Sequence, residues 1–141
     1  MKSIVRYGMF VLGVLAVMGL IVPSAALAAK EIKIGVIYPL TGGAAAAGRE
    51  LRAGAELAAK IANNVMTDVS MDMAKNSGIK NMGGAKIKLI FKDHQANPTL
   101  GADLAKKLIL DDKVDGILGC YHSSVTKTVS AVCEQYGVPM I

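Results

Sequence analysis

Short apolar runs, rich in β-branched residues and each followed by a stretch of helical period, leave this chain few folds to adopt. The runs are Ile32–Tyr38 (IKIGVIY), Ala85–Lys92 (AKIKLIFK) and Val114–Cys120 (VDGILGC). A fourth, Val138–Ile141 (VPMI), begins where the sequence stops. The first run is almost unbroken in its apolarity, which suits a strand covered on both faces of a parallel sheet. The second alternates Lys with Ile, Leu and Phe and belongs nearer an edge, whereas the third is short and apolar and belongs near the centre. The order β-α-β-α-β-α-β predicts an α/β fold with a doubly wound parallel sheet.

The intervening segments carry helix signals of unequal clarity. Asn97 followed by Pro98 is an N-cap with proline at the first helical position, and Leu100, Leu104 and Leu108 then recur at helical spacing. Ser123 or Ser124 opens another helix, with Val125, Val129, Val132 and Tyr136 as its inner face and Gly137 as its stop. Between the first and second strands, Arg49–Asn63 is expected to be helical, with Leu51, Ala55, Ala58 and Ala62 as a narrow inner stripe. Glu56 and Lys60 would pair on its outer face. Pro39–Gly48 (PLTGGAAAAG) is expected to be a loop; it has neither the Lys-Ser/Thr ending of a P-loop nor the glycine spacing of a dinucleotide site. Residues 64–84 hold Met66, Met71, Met73 and Met82 without a His or Cys among them, so a surface excursion with methionine as packing is expected over a soft-metal site.

The amino terminus has the pattern of an export signal. Lys2 and Arg6 precede the uncharged run Gly8–Val22, Pro23 and Ser24 break it, and Ala26-Leu27-Ala28 is an A-x-A cleavage site that would leave Ala29 first. The run is shorter than the roughly 20 residues of a spanning helix. Cleavage would remove Lys2 and Arg6 and lower the formal charge from +5 to +3. That is a solubility charge and not a nucleic-acid footprint, and a periplasmic location is expected. Cys120 and Cys133 would then lie in an oxidising compartment, but one ends a strand and the other sits about ten residues along a helix, roughly 15 Å away. Two buried free thiols are expected.

In open parallel sheets, ligands bind beyond the carboxyl ends of the strands where the strand order reverses. With the order 2-1-3-4, that point lies between Thr41–Gly48 and Tyr121–Ser124. The helix opening at Ser123 and Ser124 offers free N–H groups, a dipole that favours an anion, and two hydroxyls. A serine there also serves as a cap, and the local sequence does not separate the two uses. His94 and His122 stand at strand ends on the same side, too few for a zinc site. Ser123 beside His122 has no orienting acid, so neither nucleophilic catalysis nor a cofactor is expected.

Taken in order, IKIGVIYPLTG…G…GAELA, GGAKIKLIFKDHQANP, VDGILGCYHSS and YGVPMI resemble the start of a branched-chain amino-acid-type periplasmic substrate-binding protein. The resemblance covers essentially the whole chain after the signal. It implies a type I periplasmic-binding fold of two lobes, with residues 29–141 supplying the first part of the amino-terminal lobe. It also implies a monomeric protein that is not an enzyme and that binds an amino acid or related small carboxylate for the membrane permease of an ABC transporter. Ser123 matches the family's carboxylate-holding serine, with Ser124 and His122 beside it. Ala47, before Gly48, stands where leucine-binding members carry an aromatic residue against the ligand. Ala96 and His122 occupy the positions that some members join by a disulfide, so that bridge is absent. Sensing for a signalling partner, or an exported α/β enzyme, are the alternative functions. The fourth strand is unaccompanied by a closing helix, so an amino-terminal fragment of a longer protein is expected.

Overall fold

The computed structural model describes residues 30–141; the expected signal and its cleavage site lie outside the described residues. Three parallel strands form the sheet: β1 (Glu31–Tyr38), β2 (Lys86–Asp93) and β3 (Gly116–Gly119). β1 is central, in the order β2-β1-β3, with Ile34 opposite both Leu89 and Gly116. Met140 bridges in parallel to Ile117, which places the Val138–Ile141 run beside β3 and extends the order as the sequence predicts. The helices are α1 (Ala45–Asn63), α2 (Pro98–Leu110) and α3 (Ser123–Tyr136).

Strand alternation assigns the faces. On one, Ile37 and Ile117 pack with Leu108, Ile109, Val125 and Val129 from α2 and α3, the main core of the protein. On the other, Ile32, Ile34, Ile87 and Leu89 look toward Ala55, Ala58 and Ala59 of α1 and line an open apolar cleft of about 360 Å³. Helices on both faces give the expected α/β architecture.

Several helix details differ from the sequence reading. α1 starts at Ala45, four residues before Arg49, because Ala45–Ala47 join the helix as its strongest formers. Ala62 is its deepest alanine, whereas Leu51 is exposed, since α1 leans on β2 more than on β1. Glu56 pairs with Arg52 (2.8 Å) and not Lys60, and the Arg52 guanidinium lies 4.5 Å over the Phe91 ring. In α2 the buried face is Gly101, Ala105, Leu108 and Ile109, rotated from the leucine stripe. The rotation follows from Gly101, which admits α3 so closely that a Cβ there would lie 2.5 Å from Val125 Cγ1. In α3, Cys133 takes the buried place expected of Tyr136.

Residues 64–84 form a surface excursion with two short 3₁₀ turns, Asp72–Lys75 and Lys80–Met82. Ala74 is buried, while Met71, Met73 and Met82 are exposed. Asn63 anchors its base: the side-chain amide donates to the Ile87 carbonyl and accepts from the Ile87 N–H, both at 2.7 Å.

The α2–α3 contact has no slack, because Val125 is β-branched, buried and unable to step aside. Gly101→Ala is expected to destabilise the fold by about 1–3 kcal/mol through overpacking. Denaturant unfolding measures it, and an unchanged midpoint would contradict the packing described.

Candidate functional site

Because the strands run in parallel, the loops leaving β1, β2 and β3 emerge at one end of the sheet. The pair Tyr38–Asp93 closes the β1–β2 ladder, and Ile37–Gly119 closes the β1–β3 ladder. Thr41–Gly48 and Tyr121–Ser124 therefore leave neighbouring strands at the sequence-predicted switch point.

α3 begins at Ser123, with His122 as its N-cap and no side-chain cap. Neither serine caps the helix, against that alternative of the sequence reading. The first turn closes on the backbone: Val125 and Thr126 N–H donate to the His122 carbonyl at 3.0 and 2.9 Å. The Thr126 hydroxyl donates to the same carbonyl at 3.1 Å. Ser123 and Ser124 are both exposed at the turn where α3 starts, where the dipole favours an anion. Exposed hydroxyls and N–H groups at a helix start are donors of the kind that carboxylate or phosphate oxygens accept.

Ala47 and Gly48 lie in the first turn of α1 at the same end. Gly48 is buried, and a Cβ there would sit 2.0 Å from the Pro39 carbonyl oxygen, so this approach of helix to loop requires glycine. His122 is half-buried, its ring edge-on to Tyr121 at 5.1 Å and to His94 at 5.3 Å, and its Nδ1 is buried without a partner. No hydrogen bond links that ring to either serine.

Three further residues shape this end of the sheet. Tyr121 is exposed, with a backbone φ of +89° that L-residues rarely adopt. Asp93 clamps the first loop: its carboxylate accepts from the Leu40 N–H (2.9 Å), the Thr41 hydroxyl (2.5 Å) and the Gln95 N–H (3.0 Å). His94 is fully buried between its own turn and the loop after β3. An acid at a strand end, two residues before its turn partner Gln95, is the sequence signal for Asp93.

The cysteines are free and buried in one core cluster. Burial first, then the charge of Cys133, pushes the Cys120 thiol up to about 12 despite a hydrogen bond with Thr126. It stays protonated at neutral pH and is no nucleophile. Among the described residues no group of three His, Cys, Asp or Glu side chains is placed to hold a metal. None of the described helices is long and apolar enough to cross a membrane.

Known proteins share this fold. The family model described as periplasmic binding protein matches residues 31–141. The Leu/Ile/Val-binding protein homolog 3 of Brucella melitensis is 34% identical over 117 residues, covering 83% of this chain and 28% of the relative. The leucine-binding protein LivK of Thermotoga maritima superposes with a TM-score of 0.62 at 28% identity, over 77% of this chain and 26% of that one. An ABC-transporter solute-binding protein of Rhodopseudomonas palustris, in complex with 3,4-dihydroxybenzoic acid, superposes with a TM-score of 0.60 at 28% identity, over 78% and 26%. The chain thus spans little more than a quarter of the length of these relatives.

The Asp93 clamp has a pH signature. Burial alone would raise the carboxyl, but hydrogen bonds from the Thr41 hydroxyl and from the Gln95, Leu40 and Thr41 N–H groups outweigh it and hold it below its ordinary value. A depressed carboxyl contributes stability that is full above the unfolded value, about 3.9 for Asp. That contribution is lost as pH falls through the lower folded value. Below about pH 4 the unsubstituted protein is expected to lose stability more steeply than Asp93→Asn, which has no proton to take up. Matching acid slopes in thermal unfolding would refute the clamp.

Proposed function

The chain belongs to the periplasmic binding protein family, and from that membership we propose that it captures a small carboxylate outside the cytoplasm and delivers it unchanged to the permease of an ABC importer. In this reading the segment preceding Ala29 is an export signal, and residues 29–141 are the first part of the amino-terminal lobe of a monomeric, two-lobed receptor. Ser123, with Ser124 beside it, receives the carboxylate through its hydroxyl and the N–H groups of the α3 start. His122 stands at the edge of that contact, and Ala47 and Gly48, in the first turn of α1, border the same end of the sheet.

The observation that carries the reading is the start of α3. It presents two exposed serines at the carboxyl end of a parallel sheet, and its first turn is closed by the His122 carbonyl and not by either hydroxyl. An anion there meets donors that the fold does not consume. One similar protein is leucine-binding and the other holds 3,4-dihydroxybenzoic acid. Those ligands share a carboxylate and little else, which fits a lobe whose recognisable contact is an anion site. Ala47 would leave ligand side-chain space that an aromatic residue would fill.

The family's solute-binding fold supports a role without chemical turnover.

Calorimetry with L-leucine and with 3,4-dihydroxybenzoate, on a protein that joins this segment to a second lobe, tests the assignment. Ser123→Ala is expected to cost about 1.5–3 kcal/mol of binding energy through loss of a hydrogen bond to a charged group. That corresponds to a roughly ten- to hundredfold weaker Kd. Unchanged affinity in the variant would remove Ser123 from the site.

A further inference from the structure

His94 is the least expected polar residue in this protein. It comes directly after β2, yet no part of it reaches solvent. Both ring nitrogens are engaged: Nδ1 accepts from the Ala96 N–H at 3.0 Å, and Nε2 lies 2.9 Å from the Cys120 carbonyl oxygen, 26 residues further along. The Ala96 N–H can only donate, so Nδ1 carries the lone pair; a neutral ring then holds its proton on Nε2 and donates it to Cys120.

The two contacts serve different segments. At Nδ1 the ring stabilises its own turn, where Gln95 and Ala96 both have positive φ (51° and 57°) and the Asn97 N–H returns to the His94 carbonyl at 2.7 Å. Left-handed backbone is unfavourable for a non-glycine residue, so such a turn needs local partners. At Nε2 the ring reaches across the sheet end to the residue that begins the Tyr121–Ser124 loop. The neighbouring Asp93 meanwhile holds the first loop through Leu40 and Thr41. Two successive residues at the end of β2 thus tie down the loops on both other strands.

We propose that His94 is a positioning residue of the ligand site: by fixing the Cys120 carbonyl it sets the strand-to-helix turn that presents Ser123 and Ser124. It acts as a polar strut between the turn after β2 and the loop after β3, where this chain has no covalent link. The inference deepens the carboxylate-binding reading above and rests on it for its meaning, although the strut itself is a property of the protein without ligand.

Two conservative variants of the full chain separate the contacts. Asparagine places an acceptor where Nδ1 stands but is too short to reach Cys120; glutamine places a donor near the Nε2 position but gives up the turn acceptor. Amide hydrogen exchange reads the outcome. In His94→Asn, the Cys120, Val125 and Thr126 amides are expected to exchange at least tenfold faster, while the Ala96 amide stays within about twofold of the unsubstituted protein. In His94→Gln the pattern is expected to reverse. A residue that only fills space would give parallel losses in both variants, and parallel losses or unfolding of both would overturn the proposal. Long-range proton–nitrogen correlation on the unsubstituted protein adds a signature that packing alone does not fix: the Nε2–H tautomer is expected, and an Nδ1–H tautomer would also overturn it. Neither measurement involves a ligand, so failure here is distinct from failure of the carboxylate reading, which the Ser123→Ala titration decides.

Discussion

The register of β1 against its two neighbours governs everything at the candidate site. Tyr38 opposite Asp93 brings the Asp93 carboxylate to the start of the first loop, and Ile37 opposite Gly119 brings the third loop beside it. A slip of one residue would turn Ile37 away from the core and carry Asp93 off Leu40 and Thr41. Register is in turn fixed by burial: Val36, Ile37 and Tyr38 are all buried at the carboxyl end of the central strand. The apolar content of β1 therefore places polar groups that lie outside β1.

The two faces of the sheet are packed very differently. On the α2–α3 side, close approach is bought with glycine: a Cβ at Gly35 would lie 2.8 Å from Leu108, and one at Gly101 would strike Val125. On the α1 side, the small residues Ala55, Ala58 and Ala59 leave the apolar cleft over Ile32, Ile34, Ile87 and Leu89. The site end of the sheet rests on the tight side, because α3, which carries the serines, is seated on α2. Ser123 is thus held by packing that begins half a turn further on, at Val125, and continues through Val129 to Cys133, nearly three turns along.

Strand identity was legible in the sequence because β-branched runs and their flanking turns encode it locally, whereas the spatial order came from the common doubly wound arrangement. The Asn97–Pro98 helix start was legible for the same reason, and the Asn97 side chain accepts from the Leu100 N–H as such a cap should. Faces were harder to read. The leucine spacing in α2 suggested one stripe, but the contact is decided by Gly101, whose contribution is the absence of a side chain. At the site, the serines were visible as a strand-to-helix junction. His94 was visible as a strand-end residue on that side, but its burial and its contact were not, since its partner is a backbone carbonyl, and a carbonyl leaves no trace in residue identity.

That difference explains how the local groups divide between holding the fold and facing outward. The backbone carbonyls on either side of Tyr121 are employed: the His122 carbonyl takes three donors and the Cys120 carbonyl takes the His94 ring, while the Cys120 N–H reaches the Thr126 hydroxyl at 3.4 Å. A helix start rich in Ser and Thr ordinarily uses one hydroxyl as its cap. Here Thr126, one turn in, satisfies the loop from behind, and the two serines at the front are left exposed. Stability is supplied by residues a ligand would not touch, so the exposed hydroxyls can bind and release without a cost to the turn that carries them. Such a separation is what reversible capture requires, because a donor already committed to the fold would have to be freed before it could receive an anion.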